Sequence, residues 1–378
     1  MAHYKMSDVV TEVNERENNP ANSKYDRFVG LEHYVSGEVI IRNYGSTERL
    51  ESTMKVFQAG DILVARRNVY LKRAAAVDFY GLTSGDSIVL RAKDPEVGRI
   101  LPFVLNTDAF WDFADQYSDG TMSKRLSPKT LMTFEFDLPD GDELSKLADI
   151  LWAANDTRES YQALLKQADE LVKSQFIEVI EPLLEQKKTK SLDELIQPGR
   201  PITYGILKPG TGYPGGIPVV KVKDMRDGMI DQTDMLLTSP EIDTQYQRSK
   251  LRRGDLLISI RGSVGRMAEV PESLENANIT QDTARLTIAE DINRVYIRGV
   301  LESAPLQNEM ERNIRGVAVK GINIGFLREL QIPICDRSTQ DRLASLYKQS
   351  DKSKFELKQA IANISELMKS LIQQDFTN

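Results

Sequence analysis

The side chains in this chain whose type and spacing best suit binding chemistry are cations. Arg66, Arg67, Lys72 and Arg73 crowd one stretch, with Lys124 and Arg125 further on. A second set follows: Arg252, Arg253, Arg261, Arg266, Arg315 and Lys320. A guanidinium is a rigid planar fork that can satisfy two acceptors at once, and an ammonium is a mobile point charge. Together they suit phosphates and the acceptor-rich edge of guanine. Taken singly, each is equally well a solvated surface charge or half of an ion pair. Their recurrence at the same place in two halves of the chain favours a shared role.

Other chemistries are poorly supplied. His3 and His33 are the only histidines and Cys335 the only cysteine, so nucleophile–base triads, histidine metal sites and zinc clusters have almost no material. The glycine-rich run PGTGYPGG at 209–216 lacks the Gly-Lys-Ser/Thr ending of a phosphate loop. No Gly-rich cofactor fingerprint and no Asn-Pro-Pro-Tyr-like methylation motif occurs. These absences argue against a catalyst.

The elements that must position the cations come next. Residues 251–268 read LRRGDLLISIRGSVGRMA: a basic lead-in, a Gly-Asp turn, an apolar strand, then a basic loop. Residues 57–75, FQAGDILVARRNVYLKRAA, repeat that plan. Laid over one another, the halves match at an offset of about 195 residues. Val29 falls on Val220, Gly37 on Gly228, Gly60-Asp61 on Gly254-Asp255, Asp86 on Asp282, and Gly120 with Lys124 on Gly316 with Lys320. Lys173-Ser174 falls on Lys369-Ser370.

In chain order, residues 25–43 predict two short strands about a Ser36-Gly37 turn, and 100–116 a short helix packed on strands. Residues 134–139 predict a closing strand. From Asp142 to Gln186 glycine is absent and apolar residues recur at steps of three and four, which predicts a long amphipathic helix of roughly 60 Å. The second half repeats the plan: paired strands at 217–231, a helix at 292–311, a strand at 330–334, and a second long helix at 338–375. Leu164 and Leu171 in the first long helix, and Leu357, Ile364 and Met368 in the second, are expected to form the seam of an antiparallel coiled coil. Tyr70, Tyr204 and Tyr213 could lie near a nucleic acid, but packing in core or loops is the better expectation for each. The fold class is therefore mixed α+β: two similar globules, 1–140 and 188–336, with long helices at 141–187 and 337–378, related by a pseudo-twofold internal repeat.

Composition fits this reading. The chain has 378 residues, 28% of them charged, with a net charge of −7. That balance argues mildly against a nucleic-acid partner, although an acidic rear face is compatible with a basic groove. No apolar run approaches the roughly 20 residues needed to cross a bilayer. The first residues lack an apolar signal core. The lone Cys335, expected to be a small buried hydrophobe, fits a reducing, cytoplasmic setting.

The order of these motifs resembles the specificity (S) subunit of type I restriction–modification enzymes. GDLLISIRGSVGRMA, its counterpart GDILVARRNVYLKRAA, and the closing run IRGVAVKGINIGFLRELQIPICDRSTQDRLASL carry the resemblance across essentially the whole chain. The first half departs from the pattern, with Leu144 where the second has Gln340, and its basic loop lacks glycine. The resemblance implies two target recognition domains, each reading half of a bipartite double-stranded DNA target. It implies a helical spacer that sets the gap and docks two methyltransferase (M) subunits. Those, with restriction/motor (R) subunits, form the complex, and S-adenosylmethionine, ATP and magnesium belong to the partners. The twelve cations above are the expected DNA-binding residues, and no membrane role is implied. A cytosolic non-catalytic scaffold is the competing reading, favoured by the acidic charge and disfavoured by the duplicated basic loops.

Overall fold

The computed structural model describes residues 1–120, 123–316 and 320–376, the last three by backbone alone. It divides into two units, Met1–Gln162 with Gln359–Asn378, and Ala163–Lys358.

In the first unit a four-stranded antiparallel sheet orders Val10–Glu12, Ser87–Ala92, Ile62–Ala65 and Ala74–Ala76. The run Ile-Leu-Val-Ala is buried throughout because both of its faces are covered. Ile62 and Val64 enter one core cluster, Leu63 and Ala65 another. A five-stranded sheet orders Arg16–Glu17, Met54–Phe57, Gly81–Thr83, Arg27–Val29 and Gly45–Ser46, with a parallel pair joining Phe28 to Leu82. Ala2–Lys5 pairs antiparallel with Glu135–Leu138.

The second unit repeats these arrangements. Its four-stranded sheet orders Thr203–Tyr204, Thr283–Leu286, Leu256–Ser259 and Met267–Glu269. Leu256 and Ile258 enter one cluster and Leu257 the other. A parallel pair joins Val219 to Asn278, and Thr189–Ser191 pairs with Gln331–Pro333. The repeat read from scattered sequence matches is thus a repeat of strand order and of face assignment. The mixed α+β class stands.

Several expected elements differ. Residues 38–43 form no strand; Ile40 makes one isolated bridge to Ala76, while Glu38 and Arg42 turn toward the first long helix. The helix expected at 100–116 is two, Pro95–Val104 and Asp108–Gln116, because Thr107 caps a fresh start by accepting from the Phe110 amide. The helix expected at 292–311 is likewise two, Arg294–Glu302 and Ala304–Arg312. Pro305 has no amide proton to continue the first, and its ring would press on the preceding turn. Cys335 is half-buried against the core, just beyond its strand, and burial pushes its thiol up.

The two long helices are Asp142–Glu185 and Arg337–Phe376. Lys187, left-handed at φ 53°, ends the first, and the Lys188 amide returns to the Leu183 carbonyl at 2.8 Å. Asp336 opens the second by accepting from the Thr339 amide and hydroxyl at 3.0 and 2.7 Å. Buried Gln340 ties this start to the core, accepting from the Asn293 amide at 3.0 Å and donating to the Cys335 carbonyl at 2.9 Å. Leu144, its counterpart, is buried in an apolar cluster instead, which accounts for the difference between the halves.

In the second unit residue numbers rise along one helix as they fall along the other. Asp169 pairs with Lys354 at 3.3 Å, and Phe176 meets the Tyr347 ring edge-on. In the first unit Met368, Ile364 and Leu371 join Leu144, Leu147 and Leu151. Met368 is thus core, Ile364 is half-buried, and Leu357 is partly exposed. Leu164 and Leu171 are not seam residues; they are 48% and 56% exposed. The buried stripe runs one residue away, through Asn155, Arg158, Val172, Phe176 and Ile180. Two of those positions are polar, so an apolar periodicity passes over them.

Each unit also sends a glycine turn onto its own helix segments. Gly37, at φ 79°, precedes Glu38, which takes Arg158 at 2.7 Å. Gly228, at φ 75°, lies against Arg298, and its neighbour Asp227 holds Lys358 at 2.7 Å.

Candidate nucleic-acid interface

The end of strand Ile62–Ala65 delivers Arg66 and Arg67 into a junction of three loops. The Arg66 amide donates to the Asp86 carbonyl at 2.9 Å, the Leu126 amide to the Arg66 carbonyl at 2.8 Å, and the Asn68 amide to the Lys124 carbonyl at 2.9 Å. Arg125 bridges both Arg67 and Asp119 through main-chain pairing. The loops are laced by backbone, so their side chains start from fixed points.

One carboxylate organises the cations there. Asp86 Oδ2 takes Arg67 at 3.3 Å and Asp86 Oδ1 takes Arg125 at 2.9 Å. Arg66 donates Nε to the Leu126 carbonyl at 3.2 Å; burial, and then the Arg125 charge, lower its pKa. The remaining cations point elsewhere. Lys72 pairs with Asp108 at 2.6 Å and pulls that carboxyl below its ordinary range. Lys124 pairs with Asp115 at 2.6 Å. Arg73 turns inward to the carbonyls of Leu31 and Arg67 at 2.9 and 3.3 Å, where it braces the loop.

The second unit laces the same junction. The Ile260 amide donates to the Asp282 carbonyl at 2.8 Å, the Ile322 amide to the Ile260 carbonyl at 2.9 Å, and the Gly262 amide to the Lys320 carbonyl at 3.1 Å. Gly321 bridges Arg261 and Arg315. Arg261 donates to Gln281 at 3.2 Å and stands 3.9 Å from Asp282. Arg315 and Lys320 are exposed, with no ion pair among the described residues; residues 317–319 between them lie outside that set. Arg266 donates to the carbonyls of Val222 and Met225 at 3.3 and 3.2 Å. Arg252 and Arg253 precede strand Leu256–Ser259 and so lie at its opposite end from Arg261, with Arg253 on Glu272 at 3.1 Å.

Of the twelve candidate cations, the structure gathers Arg66, Arg67 and Arg125 in one unit and Arg261, Arg315 and Lys320 in the other. Asp86, Asp282 and Gln281 were missed as site residues, although the two aspartates mark the repeat in the sequence. Tyr70, Tyr204 and Tyr213 are not core residues; each is exposed, Tyr70 most of all. Among the described residues no group of three or more His, Cys, Asp or Glu could hold a metal, and no helix is long and apolar enough to cross a membrane.

No family model matches the chain. Solved structures resemble it along its whole length. The S subunit of a type I restriction–modification system from M. genitalium aligns over 100% of this chain and 96% of its own, with a TM-score of 0.59 at 13% identity. A chain from a structural study of complex assembly in the type I R-M system aligns over 99% and 97%, with a TM-score of 0.50 at 18% identity. The fold is that of type I specificity subunits. A particular relative shares sequence as well: the specificity subunit of the type I restriction enzyme EcoBI of Escherichia coli is 30% identical over 190 residues. That match covers 49% of this chain and 40% of the relative. Fold and sequence neighbours thus fall in the family that the motifs resemble.

Proposed function

We propose that this chain is the DNA-recognition subunit of a type I restriction–modification complex. The observation that carries the reading is the duplicated loop junction, in which the same backbone lacing presents arginines in both units. Backbone lacing fixes where a guanidinium can reach, and base reading requires such fixed forks. In this reading residues 1–140 and 188–336 are the recognition domains, each contacting one half of a bipartite duplex target. Residues 141–187 and 337–378 set the gap and dock two methyltransferase subunits, which recruit motor subunits. The chain is non-catalytic, and S-adenosylmethionine, ATP and magnesium act on the partners. The scaffold alternative leaves the repeated cationic junction without a role.

The test is co-expression with a methyltransferase subunit of a type I system from the same genome, followed by mapping of methylated adenines in genomic DNA. The expected result is a bipartite motif with a fixed gap, and exchange of residues 1–140 changes one half only. A stable complex that methylates nothing, or binds all duplexes equally at moderate salt, overturns the reading, because phosphate contacts alone carry no sequence information.

A further inference from the structure

We infer that Asp86, and Asp282 at the matching place in the second repeat, are positioning residues that set which bases the neighbouring arginines accept. This rests on the function proposed above and deepens it. Asp86 is itself held: its amide donates to Ser84 Oγ at 3.2 Å, and its carbonyl accepts from the Arg66 amide at 2.9 Å. Its carboxylate assigns one oxygen to each of two guanidiniums from separate loops, Arg67 and Arg125. Each arginine uses one terminal nitrogen in that contact, which leaves the rest of its fork to meet a base edge. Without the carboxylate, the like charges of Arg66, Arg67 and Arg125 repel and the forks splay across many rotamers.

The second repeat keeps the frame but changes its content. Gly321 stands where Arg125 does, so among the described residues Arg261 is the one cation beside Asp282, and Gln281 takes over part of the contact. One junction therefore presents a clamped arginine pair and the other a single clamped arginine beside Arg315 and Lys320, which have no ion pair among the described residues. The two halves of the target are read by different donor sets from a common scaffold.

The experiment maps methylated adenines in cells that express the complex with the wild-type chain, Asp86→Asn or Asp282→Asn, and measures binding of each purified complex to unrelated duplex DNA against salt. Asparagine keeps the shape and removes the charge. The expected result for Asp86→Asn is relaxed base preference in one half of the motif, with the other half unchanged. Its nonspecific binding strengthens at low salt, with a log–log salt slope steeper by about one. Asp282→Asn relaxes the opposite half. A general loss of methylation with the motif unchanged in both halves marks a merely structural role and overturns the inference. Arg125→Lys keeps the charge but not the fork and covers the case in which Asp86→Asn fails to fold. It must relax the same half, and an unchanged motif overturns the inference. A wild-type complex that yields no bipartite motif overturns instead the function on which the inference rests.

Discussion

Replacing Phe176 by alanine tests the register of the first long helix. Phe176 is 1% exposed. Its ring stacks on Tyr296 and meets Tyr347 edge-on, each at 6.1 Å between centroids. It also lies so close to Gly299 that a Cβ added there would stand 2.3 Å from the ring. Removing a fully buried phenylalanine costs about 3–5 kcal/mol, and the two ring contacts place this one toward the upper end. Leu171 is the control. It sits in the apolar periodicity of the sequence yet is exposed, so Leu171→Ala costs within about 0.5 kcal/mol. The assay is urea denaturation followed by far-ultraviolet circular dichroism. Trp111 and Trp152, the only tryptophans, lie in the other unit, so their fluorescence reports separately whether the loss stays local. The reasoning fails if Leu171→Ala costs as much as Phe176→Ala, or if Phe176→Ala costs under about 1 kcal/mol, since either would put the seam on the other stripe.

Met368→Ala, which opens the core of the first unit, is expected to cost about 2–4 kcal/mol, and the loss appears in tryptophan fluorescence. Gly37 and Gly228 match in the repeat but differ in surroundings. Gly37→Ala meets open space and carries only the left-handed backbone cost of about 1 kcal/mol, whereas Gly228→Ala also drives a Cβ to 1.6 Å from buried Arg298 and lowers the urea midpoint much further. Equal midpoints for the two would refute the packing described at Gly228. The hydrogen bond from His3 to Asp137 at 2.8 Å holds the imidazole above its ordinary pKa of 6.5. That raised value means the contact stabilises strand Ala2–Lys5 below about pH 6.5 and is lost as pH rises through the folded-state pKa. NMR titration of His3 should give a pKa above 6.5 that falls in Asp137→Asn; a wild-type value at or below 6.5 contradicts the contact.

What could be read from the chain beforehand follows from how locally each feature is encoded. The Gly-Asp turns and apolar runs of 60–65 and 254–260 are contiguous, so strand, turn and repeat were visible. The long helices were visible because their interiors lack glycine over many turns. Their seam was not, because Asn155 and Arg158 are buried through polar partners, and because the adjacent apolar pairs Leu164-Leu165 and Leu171-Val172 fit either stripe. The cations were found, but their fates were not. Lys72 is claimed by Asp108 and Arg125 by Asp86, acids 36 and 39 residues away in sequence, and no local pattern announces such pairs. Arg73 and Arg266 turn to carbonyl partners, which no local pattern marks. Backbone lacing leaves no mark on side-chain composition at all.

The first unit is assembled from both ends of the numbering, since it needs residues 359–373 to complete its core. On the ribosome those residues emerge after the entire second unit. Leu144, Leu147 and Leu151 must therefore wait, partly uncovered, while about two hundred further residues are made. The unit translated first is the one finished last. A nascent chain halted within the second long helix can close the second unit and still leave the first open, a ready substrate for chaperones or proteases.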